Sequence, residues 1–340
     1  MTNQPIVNQT KLNNPHPNLN SHHMAWSTDW DALFGRSAPL ILEIGFGLGH
    51  FLGYLHEKHP DKNIVGIEIN SFCLGKVERA IVRDGWDNVR VVFSRAETAL
   101  NHLFEPQSLT EIHINFPDPW FKERHSARRL MQPDTLSAMV SRLVPGGKLF
   151  LATDIIAYAE MSDELLSQTA GLTNLLDGAW VNEIQDRVVT KYERRAREEG
   201  RECYYFAYQR NDSPVPPLPI IKELEMPHIV LQTPVSFEAI VEQFRQSEHS
   251  DGDTHVKLMH AYLGDKAVLF EVFVHEPTID QLIALLYIRK EGTDDQYTLK
   301  LSALGNPRPT AGAHLAVKAL GEWLISLSDE TQVIHNKVRG

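Results

Sequence analysis

Few cysteines, no long apolar run and a shortage of cations mark this chain, and each lack narrows what it can be. Cys73 and Cys203 are its only cysteines in 340 residues and lie far apart. Neither a disulfide framework nor a cysteine metal site is therefore expected, and both read as small buried apolar residues. No apolar run approaches the ~18 residues that span a bilayer. The stretch from Met1 to Asn20 is rich in Asn, Gln and Pro and has no apolar core of a secretory signal. Residence in the cytoplasm, with no membrane partner, is expected. His16, His22 and His23 fall in or beside this stretch, whose composition is that of a disordered arm rather than a metal tract, and no metal is expected. Against 44 acidic residues there are 33 basic ones, for a net charge of −11 with histidines neutral. Such a balance argues against nucleic acid only if the cations are evenly spread. Residues 214–340 carry 11 basic and 17 acidic side chains. Upstream, cations gather at Lys122, Arg124, Arg128 and Arg129, and again at Arg187, Lys191, Arg194, Arg195, Arg197 and Arg201.

What is present is an alternation of short β-rich runs with longer helical stretches. Leu40–Ile44, Ile64–Ile69, Val89–Phe93, Glu111–Phe116 and Gly147–Thr153 read as strands; His50–His59, Ser71–Gly85, Glu97–Phe104 and Pro133–Leu143 read as crossover helices. This is an α/β pattern with a parallel sheet covered on both faces. Asp186–Gln209 reads as a basic loop followed by a last strand around Cys203–Tyr208. The segment from Ser213 to Pro219 holds four prolines and can neither continue a helix nor pair in a central strand. The expected organisation is a disordered arm over 1–23, a first domain over 24–212, a proline-rich linker over 213–220, and a smaller domain over 221–340. In that last region strands mostly follow one another, with helices at Phe237–Gln246 and Gly312–Leu327, which indicates an α+β domain on an antiparallel sheet. Its segment Asn306-Pro307-Arg308-Pro309-Thr310 reads more readily as a rigid approach to the last helix than as a contact point.

Glu43-Ile44-Gly45-Phe46-Gly47-Leu48-Gly49 follows the first strand and opens the first helix. Glycines at Gly45 and Gly47 permit a tight turn and close approach of a ligand to the backbone. A glycine pattern alone would suit a nicotinamide enzyme equally. Glu43 shifts the balance: an acid there suits the sulfonium and amino group of S-adenosyl-L-methionine and would repel a pyrophosphate. Glu68, ending the second strand, is placed to accept both ribose hydroxyls. After the third strand come Arg95 and Ala96, where methyltransferases of this fold commonly place an Asp or Asn against adenine. With Arg95 there, either the backbone or Glu97 takes over that contact, or the site is looser.

The most specific stretch is Asn115-Phe116-Pro117-Asp118-Pro119-Trp120-Phe121-Lys122-Glu123-Arg124-His125. Two prolines stiffen the backbone around Asp118 at a strand's carboxyl end, where ligands of such sheets lie, so Asp118 is expected at the methyl donor. Trp120 and Phe121 offer a face on which a base stacks, and Lys122, Arg124, Arg128 and Arg129 offer phosphate contacts. The alternative is that the aromatics are core and the charges a solvated face.

At these residues the chain resembles the bacterial tRNA (guanine-N(7)-)-methyltransferase family. The resemblance rests on Leu42–Gly49, Gly66-Ile67-Glu68, Asn115–Trp120, Arg128-Arg129-Leu130, Ala152-Thr153-Asp154 and Thr190-Lys191-Tyr192-Glu193-Arg194-Arg195, and covers about residues 26–209. It implies a Rossmann-like domain dependent on S-adenosyl-L-methionine, with tRNA as partner and the variable-loop guanine as methyl acceptor. It further implies that Glu43, Glu68 and Asp118 contact the cofactor, that Asp118 is catalytic, and that Lys122, Asp154, Thr190, Lys191, Tyr192 and Glu193 contact the substrate. Arg194 and Arg195 join the basic residues expected on RNA. Three departures bear on the transfer: Arg95 for an acid or amide, Ala196 for a glycine after the two arginines, and no basic run in the N-terminal arm. Asp154 is expected at the Watson–Crick edge of guanine, with capping of the helix near Ile155 as the alternative. Two other functions compete: methylation of a non-RNA substrate, and RNA binding by an inactive methyltransferase fold.

Overall fold

The computed structural model describes residues 19–120, 129–215 and 218–339, and the chain divides after Ile220 into two compact units. In the first unit, β1 (Leu19–Asn20), β2 (Leu40–Ile44), β3 (Asn63–Glu68), β4 (Val89–Phe93), β5 (Leu109–Asn115), β6 (Leu143–Thr153), β7 (Leu172–Asn174) and β8 (Tyr204–Arg210) form one sheet. Its order is β1-β4-β3-β2-β5-β6-β8-β7. Neighbours from β1 to β6 run parallel, and β8 is antiparallel to β6 and β7. The short α1 (Trp30–Phe34) leads into β2, and α2 (His50–Lys58), α3 (Ser71–Asp84), α4 (Ala96–His102) and α5 (Pro133–Arg142) supply the crossovers that parallel neighbours require. Next come α6 (Ile156–Ser167) and α7 (Lys191–Glu198).

Burial on both faces explains why these strands read as continuous apolar runs. Ile41, Ile64 and Val89 join a core with Phe51, Leu55, Leu74 and Val77 of α2 and α3. Leu42, Val65 and Val92 join another with Leu100, Met139 and Tyr158 of α4, α5 and α6. The strand order reverses at β2, which has β3 on one side and β5 on the other. The carboxyl ends of β2 and β5 therefore border the crevice where open α/β sheets take ligands.

Three segments differ from the sequence reading. Leu19–Asn20, expected in a disordered arm, pairs with Val92 and Phe93, held there by buried Leu19 and Met24. The proline-rich segment is not a detached spacer: Val215 and Leu218 pack on the first core, and fully buried Arg142 donates to Leu100 O and Leu218 O. The basic loop contains α7. Cys203 is buried as expected, whereas Cys73 is only half-buried on α3.

The second unit comprises β9 (His228–Gln232), α8 (Phe237–Gln243), β10 (Ser247–Asp251), β11 (Thr254–Leu263), β12 (Ala267–Glu276), β13 (Ile279–Arg289), β14 (Gln296–Leu301), α9 (Ala311–Ser326) and β15 (Gln332–Asn336). Its wholly antiparallel sheet has the order β10-β11-β12-β13-β14-β9-β15. Val256, Phe270, Val274 and Leu285 of the sheet pack with Ala313, Val317 and Leu320 of α9. Gly312 and Gly321 let the helix approach closely, since a Cβ there would lie 2.3 Å from Val274 Cγ1 and 2.4 Å from Ile229 Cδ1 respectively. Arg308 belongs to the approach to α9: its N–H donates to Gln281 Oε1 at 2.7 Å and its guanidinium to Glu223 at 2.5 Å. Among the described residues no helix is long and apolar enough to cross a membrane, and no group of three or more His, Cys, Asp or Glu side chains is arranged to hold a metal ion.

Candidate active site

Beyond β2, Gly45, Gly47 and Gly49 take φ values of 74°, 53° and 78°, a region side chains rarely tolerate. Among the described residues, no atom apart from those of its chain neighbours lies within 4 Å of where a side chain on Gly45 would begin, so the turn leaves its backbone open. Beside it Glu43 is buried. Its Oε1 accepts from Asn115 Nδ2 at 3.1 Å, while Oε2 has no partner among the described residues. Burial pushes its carboxyl up to about 8, against the opposing pull of Asn115 and Arg187. A buried acid with an unmet oxygen beside an open turn is a receiver for a cation.

Glu68 does not present the free carboxylate expected for a ribose. Its Oε2 accepts from Gly47 N at 2.9 Å, and its Oε1 accepts from Ile69 N and Asn70 N at 2.8 and 2.9 Å. It thereby ties the glycine turn to the end of β3 and retains acceptor capacity only on Oε2. Arg95 is the N-cap residue of α4 and lies 3.4 Å from Glu97, so the residue considered as its substitute at adenine is engaged with Arg95 itself; Ala96 is buried in the first turn.

The loop after β5 is strained on both sides of Asp118. Phe116 and Trp120 adopt φ of 52° and 44°, uncommon for bulky residues and kept only where the surroundings over-determine them. Phe116 N donates to Ala152 O at 2.8 Å, and Arg129 donates to Pro119 O and Trp120 O, each at 3.3 Å. Arg129, expected on RNA phosphates, thus ties the loop backbone; its guanidinium matches clustered carbonyls as well as it does a phosphate. Asp118 is exposed between these anchors. Phe121, Lys122, Arg124 and Arg128 lie outside the described residues.

Thr190-Lys191-Tyr192-Glu193 starts α7 as a capping box. Thr190 Oγ1 accepts from Glu193 N at 3.2 Å, and Glu193 Oε2 reaches back to Thr190 N at 3.4 Å. Glu193, expected on substrate, is instead enclosed: its oxygens bind Arg187 and Arg197 at 2.8 Å each. Thr190 is likewise buried, whereas Lys191 and Tyr192 are exposed. The pocket at the β2 and β5 ends is lined by Glu43, Gly45, Phe46, Leu48, His50, Phe51, Asn115, Thr190, Lys191 and Tyr192. Residues nearly 150 positions apart in sequence share one cavity as a result. Arg194 and Arg195 are exposed on α7, the latter paired with Glu199 at 2.8 Å. Asp154 forms an ion pair with Arg201 and does not cap α6, whose N-cap residue is Ile155.

Sequence reasoning gave no role to Asn115 or Arg187. Asn115 donates to Glu43 and accepts from Arg187 Nη2, and the Arg187 guanidinium lies 4.9 and 5.2 Å from the rings of Phe51 and Tyr205. No spacing signals this contact.

Residues 37–206 match the family described as "Putative methyltransferase". The tRNA (guanine-N(7)-)-methyltransferase of Burkholderia vietnamiensis is 39% identical over 182 residues, 54% of this chain and 71% of that protein. The protein of the same name from Pseudomonas putida is 37% identical over 183 residues, 54% of this chain and 76% of that one. The chain belongs to the tRNA (guanine-N(7)-)-methyltransferase family. Its cofactor is S-adenosyl-L-methionine. The residues present fit that group: the unmet Oε2 of Glu43 suits the cofactor's cationic end, and the open turn at Gly45 admits it. Of the solved structures, the 16S rRNA methyltransferase KamB is 16% identical over 54% of this chain and 93% of its own, with a TM-score of 0.42. The family match falls within the first unit.

Proposed function

We propose that the chain methylates N(7) of a guanine in the variable loop of tRNA, in the cytoplasm, with Asp118 as the catalytic carboxylate. The observation that carries this reading is the single cavity in which Glu43 and the glycine turn meet Lys191 and Tyr192, so that a cofactor pocket opens directly onto a basic helix. When bound, S-adenosyl-L-methionine supplies an electrophilic methyl group on a sulfonium. N(7) of guanine carries a lone pair and no proton, so no base is needed to create the nucleophile, and positioning dominates the chemistry. As guanine becomes cationic, the Asp118 carboxylate on its strained loop stabilises the developing charge, the reciprocal of an oxyanion hole. Glu43 and Glu68 hold the cofactor side. Lys191, Tyr192, Arg194 and Arg195 on α7 contact the RNA, and Lys122, Arg124 and Arg128 add phosphate contacts. Asp154 meets the guanine edge once its pairing with Arg201 opens.

Incubation with labelled S-adenosyl-L-methionine and unmodified tRNA, followed by digestion, tests the proposal. Labelled 7-methylguanosine from the variable loop is the expected product. Transfer only to a non-RNA acceptor overturns the reading, and cofactor binding without any transfer replaces it with an inactive RNA-binding fold.

A further inference from the structure

We infer that Arg187 is a positioning residue that couples the cofactor pocket to the first turn of α7, so that cofactor binding and the ordering of that turn depend on each other. The coupling rests on the proposed function for its purpose, and on the side chains themselves for its path. Asn115 Nδ2 donates to Glu43, which leaves Asn115 Oδ1 facing Arg187 Nη2. The same guanidinium donates through Nη1 to Glu193 Oε2 at 2.8 Å. Glu193 in turn closes the capping box on Thr190 and binds Arg197. One cation, largely enclosed and flanked by Phe51 and Tyr205, therefore fixes the amide that orients the cofactor-side acid and the acid that starts the substrate-side helix.

The two functions meet again in space, because Lys191 and Tyr192 follow the cap and line the pocket with Glu43. A planar fork that bonds two acceptors at once transmits position between them, whereas the three donors of a lysine ammonium rotate on a flexible stem and fix neither acceptor relative to the other. Loss of the fork frees the Asn115 amide to turn and leaves the buried Glu193 charge with Arg197 as its remaining ion-pair partner among the described residues. Energetic coupling through such a network is reciprocal.

The test uses the full chain, with calorimetry of S-adenosyl-L-methionine binding and amide hydrogen exchange over residues 190–198. In the wild type, added cofactor should slow exchange in this segment. Arg187→Met should weaken cofactor binding tenfold or more and abolish the exchange response, and Arg187→Lys should recover part of the affinity with little of the response. Glu193→Gln removes the charge from one of Arg187's two acceptors and leaves Asn115 and Glu43 in place; it should keep cofactor affinity within about threefold while losing the response, and it carries the test if Arg187→Met does not fold. Cofactor affinity within twofold of wild type in Arg187→Met, or an undiminished exchange response in Glu193→Gln, overturns the coupling. A wild type that binds the cofactor with no response in α7 overturns it as well. A wild type that binds no cofactor overturns the functional reading instead.

Discussion

Glu43 and Glu276 are both buried carboxyls raised above their ordinary range by burial, one in each unit, yet their surroundings suit opposite tasks. Glu276 accepts from Gly312 N at 3.1 Å, at the start of α9, and a Cβ on Gly312 would lie 2.9 Å from its Oε2. The helix N-terminus engages Oε1 and the packed glycine seals the acid in, although Oε2, like that of Glu43, has no hydrogen-bond partner among the described residues. Glu43 differs in having an open glycine, Gly45, as its neighbour. Burial of an acid thus says little about function by itself; what decides is whether the adjoining backbone is closed against it or left open. The first unit keeps its polar capacity open at the β2 and β5 ends, and the second uses its own to lock a helix onto a sheet.

The largest expected effect tests whether the chemistry belongs wholly to the open region. Asp118→Asn removes the charge while keeping the size, and should slow single-turnover methyl transfer by roughly 100-fold, about 3 kcal/mol, with tRNA binding nearly intact. Rates at saturating cofactor and tRNA, paired with direct binding, would decide. An unchanged rate would remove Asp118 from the reaction, and a joint collapse of rate and binding would make it a docking residue.

A complementary change in the sealed region should leave chemistry alone. Gly312→Ala drives a methyl into Val274, a stiff β-branched neighbour, and should destabilise the second unit by about 1–3 kcal/mol. Denaturant titration would measure it. A matching loss of methylation per folded molecule would show that the two regions are not independent.

A smaller effect should follow from where the chain is cut. Ending at Ser213 removes Leu218 and strands one donor of buried Arg142, whereas ending at Ile220 keeps both partners. The longer fragment should be more stable by about 1–2 kcal/mol. Equal melting of the two would return residues 214–220 to the status of a spacer.

A pH-dependent effect concerns the proton on Glu43. The folded protein holds that proton up to about pH 8, whereas the ordinary carboxyl releases it near 4.5. Between those values the native state binds more protons than the unfolded one, so rising pH erodes stability across the window. Glu43→Gln removes the titration and should gain stability relative to wild type from pH 5 to 8, then level off. The same variant should bind S-adenosyl-L-methionine about tenfold more weakly above pH 8, where the wild-type acid is charged. Parallel stability curves for the two proteins would place the buried proton elsewhere.

Much of the fold was legible because its signals are local. The runs Leu40–Ile44 and Val89–Phe93 match β2 and β4 residue for residue, since a strand buried on both faces reads as a nearly continuous apolar run, interrupted here only by Glu43 and Arg90. β10, Ser-Glu-His-Ser-Asp, and the fully exposed β15 carry no such pattern; backbone pairing with a neighbour is what makes them strands. α7 escaped notice because its arginines outweighed the Thr-x-x-Glu cap in front of them, although that cap was itself a readable signal.

By itself, the sequence determined the two units, the alternation that makes the first a parallel α/β sheet, the glycine turn with its acid, and the proline-aspartate loop. Each follows from covalent geometry or from spacing along a few residues. Only the tertiary structure decided that Glu68 spends its oxygens on backbone amides, that Arg129 ties a loop, that Glu193 is enclosed, and that Asn115 and Arg187 link Glu43 to α7. A carboxylate or guanidinium bonds whichever partners the fold brings within about 3 Å: Glu193 and Arg129 find theirs nearby in the chain once a helix or loop has formed, whereas Glu68 reaches Gly47 across 21 residues and Asn115 reaches Glu43 and Arg187 across 72 each.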